Sequence, residues 1–220
     1  MTELWGVLTR HLPQFASGLW VTVRVVAFSF VIAMVVGTFI AALRVQPVKW
    51  LQRIGGVYVE TFRNIPLLVL LIISFAGVRR MGIDINRWVA GCGSLGLYTA
   101  AYVAEALRSG VFAVGKGQID ASLSLGFTYG ETLRKIVLPQ AFRTVIPPLG
   151  NLIIAMVKNS AVIGVSLIAL NDLLKEARLI NASTPKTNEI FFWAAVGFLL
   201  LTVPATFAVR YLERRFVIKR

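Results

Sequence analysis

Between Phe15 and Leu43 a single residue, Arg24, carries a charge, and Val, Ala, Phe, Ile and Leu dominate the rest. About 20 apolar residues in a helix cross the hydrocarbon core of a bilayer, so this stretch alone commits the chain to a membrane. Arg24 falls near one end, where a long side chain reaches the headgroups. Weaker runs follow. Asn64 to Val78 is uncharged but short and contains Pro66, so Ile54 to Phe62 joins it in one element with a bend near Asn64–Pro66. Val89 to Leu107, Thr144 to Leu170 with Lys158 inside it, and Ile190 to Val209 complete the set. Trp20, Trp88 and Trp193 fall near the ends of these runs, as interfacial aromatics do. The expectation is an all-α polytopic membrane protein with about five transmembrane helices, forming one domain over residues 1–220.

Composition agrees. With 57% hydrophobic and 15% charged residues, too little polar surface remains for a soluble domain. A net charge of +13 would point to nucleic acid in a soluble chain. Here the cations lie between apolar runs and report orientation, so no nucleic-acid partner is expected. Segments 44–63, 108–143 and 210–220 carry fourteen Lys and Arg, against seven in the N-terminal segment, 79–88 and 171–189. The richer set belongs in the cytosol, which places the N-terminus outside and "RYLERRFVIKR" inside. Residues 1–14 hold Glu3, Arg10, His11 and Pro13 and lack the pattern of a cleavable signal. One cysteine (Cys92) and one histidine (His11) leave no internal disulfide and no Cys- or His-rich metal site. No nucleophile–base constellation is visible, so an enzyme is the weakest reading.

Gly96, Ala100 and Ala104, following Gly93, form a ladder of small residues on the third run, and such ladders let helices approach closely. Between the third and fourth runs stands a different kind of segment, about 115–140. A short helix is expected from about Gln118 to Leu125, with Asp120 in its first turn and Gly126 closing it in a left-handed conformation. Thr128 and Glu131 then have capping-box spacing for a second helix, which Pro139 limits or kinks. A plain connection needs only a few residues. A structured, cytoplasmic hairpin is therefore either a docking surface for a protein or an amphipathic pair on lipid headgroups.

"GQIDASLSLG" at 117–126 followed by "IVLPQA" at 136–141 resembles the EAA signature of ATP-binding-cassette importer permeases. "ETFRNIPLL" at 60–68, "AAYVAEALRSGV" at 100–111, "AFRTVIPPLGN" at 141–151 and "VKNSA" at 157–161 resemble the polar amino-acid branch of that family. The wording, with the terminal "LERRFVIKR", is most similar to actinobacterial glutamate-uptake permeases. Asp120 replaces the Glu of the signature and Ser122 its second Ala. The resemblance implies a type I importer permease of the bacterial plasma membrane. It implies two ATPase subunits that hold ATP and Mg, a second and non-identical permease, and an extracytoplasmic amino-acid-binding protein. It also implies that Gln118, Asp120, Ala121, Ser122, Leu125 and Gly126 couple the chain to the ATPase, Ala121 and Ser122 by allowing close approach. No ATP site is expected in this chain, because "GVFAVGK" at 110–116 is followed by Gly117 where a Walker A sequence needs Ser or Thr.

Lys158 interrupts an otherwise uncharged run, so it faces a polar path or a partner. With Asn159 and Ser160 it can offer a cation and donors to a substrate carboxylate; a structural ion pair or a snorkelling lysine is the alternative. Arg63 and Asn64, before Pro66, are further candidates for the path. Glu60 with Arg63, and Glu105 with Arg108, are i,i+3 pairs that read as structural ion pairs. The competing function is a secondary transporter or channel working without an ATPase, which leaves the 118–139 hairpin without a purpose.

Overall fold

The computed structural model describes residues 2–216, so the last four residues of "LERRFVIKR" lie outside it. Every element among the described residues is helical: α1 (Thr2–Val45), α2 (Lys49–Asn64), α3 (Leu67–Arg80), α4 (Arg87–Phe112), α5 (Lys116–Ser124), α6 (Tyr129–Val165), α7 (Leu173–Ser183) and α8 (Thr187–Phe216). By length and apolarity α1, α6 and α8 are fit to cross a membrane, and α2 with α3 makes a further, broken candidate bent by 101°. The bend falls at Asn64–Pro66, where Ile65 is extended and Pro66 opens α3. Proline forces its predecessor out of the helical region, and that is the cause of the break.

The remaining expected span, α4, is long enough at 26 residues but owes much of its composition to Gly, Ala, Ser and Thr. Its position explains this. It is the central helix, packed against α1, α2, α3 and α6, and its surface meets protein more than lipid. Gly96, Ala100 and Ala104 are all buried, as the small-residue ladder predicts. A Cβ on Gly96 would stand 2.7 Å from Ile32, and one on Gly37 2.7 Å from Val103. Small residues thus set the approach of α1 to α4 from both sides.

α1 and α4 run in the same direction, because Arg24 lies over Trp88 at one end and Arg44 pairs with Glu105 at the other. At 1.5 Å per residue, Arg24 to Arg44 covers about 30 Å, the thickness of a hydrocarbon core. The two arginines thus stand about one hydrocarbon thickness apart on α1. The helix also begins earlier than expected, at Thr2, and runs through Pro13. Tertiary packing accounts for the extension. Val7 and Phe15 share a core with Leu173, Ala177, Ile180, Ile190 and Ala194, and Trp193 Nε1 donates to the Leu4 carbonyl at 2.8 Å.

α6 passes Pro139, Pro147 and Pro148 and stops at Val165, short of the expected Leu170. A wide turn at Leu133–Val137 directly precedes Pro139 and relieves the crowding its ring imposes one turn back. Past Val165 the chain turns through Ala169, at φ +48°, into α7, a helix the sequence reading did not anticipate. Asp172 closes this corner. Its Oδ2 accepts from the Gly164 N–H at 3.0 Å, and its Oδ1 from the Lys175 N–H at 2.8 Å. Thr22 on α1 accepts from the Leu173 N–H at 3.1 Å. Gly164 must be Gly, since a Cβ there would overlap the Asp172 carboxylate. Burial pushes the Asp172 carboxyl up to about 6, against the opposing pull of its backbone donors.

Candidate functional site

The hairpin joins α4 to α6, at the end of the bundle away from the Asp172 corner. α5 begins at Lys116, earlier than expected, so Asp120 lies beyond the first turn and gains little from the helix dipole. Gly126 ends α5 at φ +86°, a conformation that disfavours any residue with a Cβ. The Gly126 N–H donates to Leu123 O at 3.0 Å and the Phe127 N–H to Ser122 O at 3.2 Å, which satisfies the final carbonyls. Thr128 and Glu131 form the expected capping box: the Thr128 N–H donates to Glu131 Oε2 at 3.1 Å, and the Glu131 N–H to Thr128 Oγ1 at 3.3 Å. Lys135 adds an ion pair to Glu131 at 3.0 Å. The Thr128 backbone bond, with Lys135 behind it, holds the Glu131 carboxyl down at about 2.

The expected coupling residues divide by exposure. Gln118, Asp120, Ala121, Leu125 and Gly126 face outward, and Leu125 is 78% exposed. Gln118 also reaches the Gln140 side chain, tying α5 to α6. Ser122 does not stand on this face. It is buried, donates to Ile119 O at 2.8 Å and hydrogen-bonds the buried Thr132 hydroxyl at 2.8 Å. The departure from the signature at 122 is therefore an internal staple of the hairpin, where the sequence reading had placed a point of close approach. Tyr129, 65% exposed, adds a second large exposed side chain to the hairpin and went unnoticed in the sequence.

A second candidate region lies inside the bundle. Tyr98 and Tyr102 on α4 are linked hydroxyl to hydroxyl at 3.1 Å. With Thr99, Met156 and Asn159 they line a cleft of about 210 Å³. Along α4 the two tyrosines lie about 15–21 Å from Trp88. Arg63 reaches Tyr102 from α2, its guanidinium 5.3 Å from the ring centre, without lining the cleft itself. No ion pair joins it to Glu60 among the described residues, so the expected Glu60–Arg63 pair is replaced by this cation–aromatic contact. The other expected pair forms: Glu105 bonds Arg108 at 2.5 Å and also takes Arg44 from α1. The rest of the candidate path scatters. Asn64 turns its amide onto Glu60 O at 2.7 Å. Lys158 is exposed, while Ser160 is fully buried with its hydroxyl on Val157 O at 2.8 Å. Consecutive positions on a helix point about 100° apart, and with its hydroxyl on Val157 O, Ser160 points away from Lys158 and Asn159. The cleft signal was present in the sequence: two tyrosines at i,i+4 on a helix rich in small residues.

Similarity to known proteins agrees with this architecture. The chain is 37% identical to the probable glutamine ABC transporter permease protein GlnM of Bacillus subtilis, over 96% of each chain. It is 36% identical to the glutamate transport system permease protein GluC of Corynebacterium glutamicum over the full length of both. Among solved structures, a crystal structure of an amino acid ABC transporter with histidines superposes with a TM-score of 0.90 at 32% identity, covering 95% of this chain and 97% of that one. The MetNI methionine ABC transporter, in an inward-facing conformation, shares the fold at a TM-score of 0.77 and 22% identity, covering 95% of this chain and 99% of that one. Residues 33–218 match the family model described as binding-protein-dependent transport system inner membrane component, and the chain belongs to that family.

Proposed function

We propose that this chain is the membrane-spanning permease subunit of an ATP-driven importer for glutamate or a related polar amino acid. The observation that carries the coupling part is the outward face of the hairpin. Both of its helices are capped and its polar interior is satisfied, yet Leu125 and Tyr129 stand in water beside Ala121 and Asp120. A surface that is rigid, apolar at its centre and charged at its edge fits a groove on a protein. The partners are two ATPase subunits holding ATP and Mg, a second, non-identical permease and an extracytoplasmic binding protein. This chain hydrolyses nothing itself. ATP-driven closure of the ATPases moves α5, and through Gln118–Gln140 and Ser122–Thr132 it moves α6, between inward- and outward-open states.

The cleft serves the substrate. Arg63 supplies a cation for a carboxylate, while Asn159 and the Tyr98–Tyr102 hydroxyls supply donors and acceptors. Lys158, exposed on the same helix as Asn159, belongs to the path shared with the second permease. The charge asymmetry puts the hairpin in the cytosol and the N-terminus outside. The test is to copurify the tagged permease with its ATPase and to measure uptake of labelled glutamate against a panel of competing amino acids. Ala121→Trp should release the ATPase and abolish uptake while leaving the permease folded; Arg63→Gln should weaken uptake while the ATPase stays bound. Uptake that persists with no ATPase present would overturn the proposal.

A further inference from the structure

The outer face of α1 carries a continuous stripe of exposed side chains, Trp20, Arg24, Phe28, Val31, Val35 and Phe39. The spacing of three and four residues puts them on one side of the helix. All but one are large and apolar, and none is small. Where α1 meets α4, by contrast, Gly37 and Gly96 set the approach. A stripe lacking small residues is built to face lipid tails and is poorly shaped for a second helix. Arg24 is the exception within it. Among the described residues it has no carboxylate partner and donates to no carbonyl. Its guanidinium lies 4.7 Å from the centre of the Trp88 ring, so the aromatic covers one face of the cation. The N–H edges of the guanidinium remain free, and those edges are what bind a phosphate.

Beside Arg24 opens a groove of about 450 Å³ between α1 and α4, floored by Phe28, Ile32, Val89 and Gly93. It is apolar throughout except at the Arg24 end. Gly93 leaves its floor open, since a Cβ there would meet nothing within 4 Å. The groove starts level with Trp88, at the membrane boundary opposite the hairpin, and runs down into the hydrocarbon depth. A cation at the interface with an oily channel leading inward has the two-part chemistry of a phospholipid. We infer that this groove is a binding site for one anionic phospholipid, with its phosphate on Arg24 and one acyl chain laid along Phe28, Ile32 and Gly93. An anionic headgroup is favoured over a zwitterionic one because Arg24 has no acidic neighbour to balance it, and a choline would bring a second cation to the same place. Phosphatidylglycerol is the simplest lipid of this class.

The test is native mass spectrometry of the full-chain permease in its assembled importer, released from nanodiscs made of equal parts phosphatidylglycerol and phosphatidylcholine. The wild type should retain phosphatidylglycerol in preference. Arg24→Gln should cut that preference by about fivefold or more, and Arg24→Lys should keep part of it. Gly93→Leu is the independent arm. It adds bulk to the groove from a position where a Cβ meets nothing within 4 Å, so the chain should fold and hold less phosphatidylglycerol although Arg24 is intact. Equal retention of the two lipids by the wild type would overturn the inference. So would undiminished phosphatidylglycerol on Arg24→Gln and Gly93→Leu. Absence of lipid on the wild type, with Arg24→Gln separating the two permease chains, would overturn it in favour of a protein interface. Each result is read on lipid retention, so the inference stands or falls independently of ATPase coupling.

Discussion

The Asp172 corner and the 115–140 hairpin lie at opposite ends of α6 and are built in opposite ways. The corner is tied to a distant helix by Thr22 to Leu173 and closed on itself by Gly164 to Asp172, with Asp172 only 1% exposed. The hairpin is closed mostly by bonds to its own near neighbours, Thr128 with Glu131 and Ser122 with Thr132. It leaves Leu125 78% exposed. A region that only has to hold its shape spends its polar groups inward and covers its apolar ones. A region that has to be grasped and moved holds its shape locally and keeps apolar surface for a partner.

The sharpest way to break this contrast is at Gly164. Gly164→Ala drives a methyl into the Asp172 carboxylate and should cost roughly 2–4 kcal/mol through overpacking and a lost buried hydrogen bond. A large fall in the Tm of purified protein would show it. Leu125→Asp at the other end should leave Tm nearly unchanged and remove the ATPase from the purified complex, the reverse pattern. Next in size is the pH response of the two ends. Asp172 binds its proton more tightly in the folded chain than in the unfolded one, where 3.8 is the ordinary value, so its contribution to stability is complete below about 4 and lost as pH rises through about 6. Acidification from about pH 7.5 to pH 5 should therefore raise wild-type stability relative to Asp172→Asn by about 1–3 kcal/mol, read as a higher Tm. Glu131 has the opposite sign. Its carboxyl is held down at about 2, so the capping box is intact above the ordinary value of 4.5 and lost only as pH falls towards 2. Hydrogen exchange at the Thr128 amide should be protected equally at about pH 7.5 and pH 5, once intrinsic exchange is corrected for. The smallest effect is at Ser122: Ser122→Ala strands the buried Thr132 hydroxyl and should cost about 1 kcal/mol.

The same contrast explains what was legible in the sequence. The hairpin was, because its signals are local: a Gly after a short helix, then Thr and Glu three apart. The Pro66 bend and the small-residue ladder of α4 were legible for the same reason. The Asp172 corner was not, since its partners lie on separate helices and nothing near Asp172 marks it as buried. α1 was read short at its N-terminal end, because residues 2–14 gain their helical order from α7 and α8 and their own apolarity is modest. Ser122 was assigned to the outer face on the strength of a signature, and only the fold shows Thr132 beneath it. At the cleft, Arg63 and Asn159 were named but given other company. Asn159 lines the cleft with Tyr98 and Tyr102, while Arg63 lies against the Tyr102 ring from α2, and the i,i+4 spacing of the tyrosines is the signal for it.

The central claim is that the exposed face around Leu125 is occupied by the ATPase. Cys92 is buried, so Leu125→Cys introduces an accessible thiol into a chain with no other. Short-arm crosslinking from that thiol in the assembled importer is the most direct measurement. The account predicts a single adduct between permease and ATPase whose yield changes when ATP is added. An accessible thiol that crosslinks to no ATPase in a complex that still takes up amino acid would contradict it.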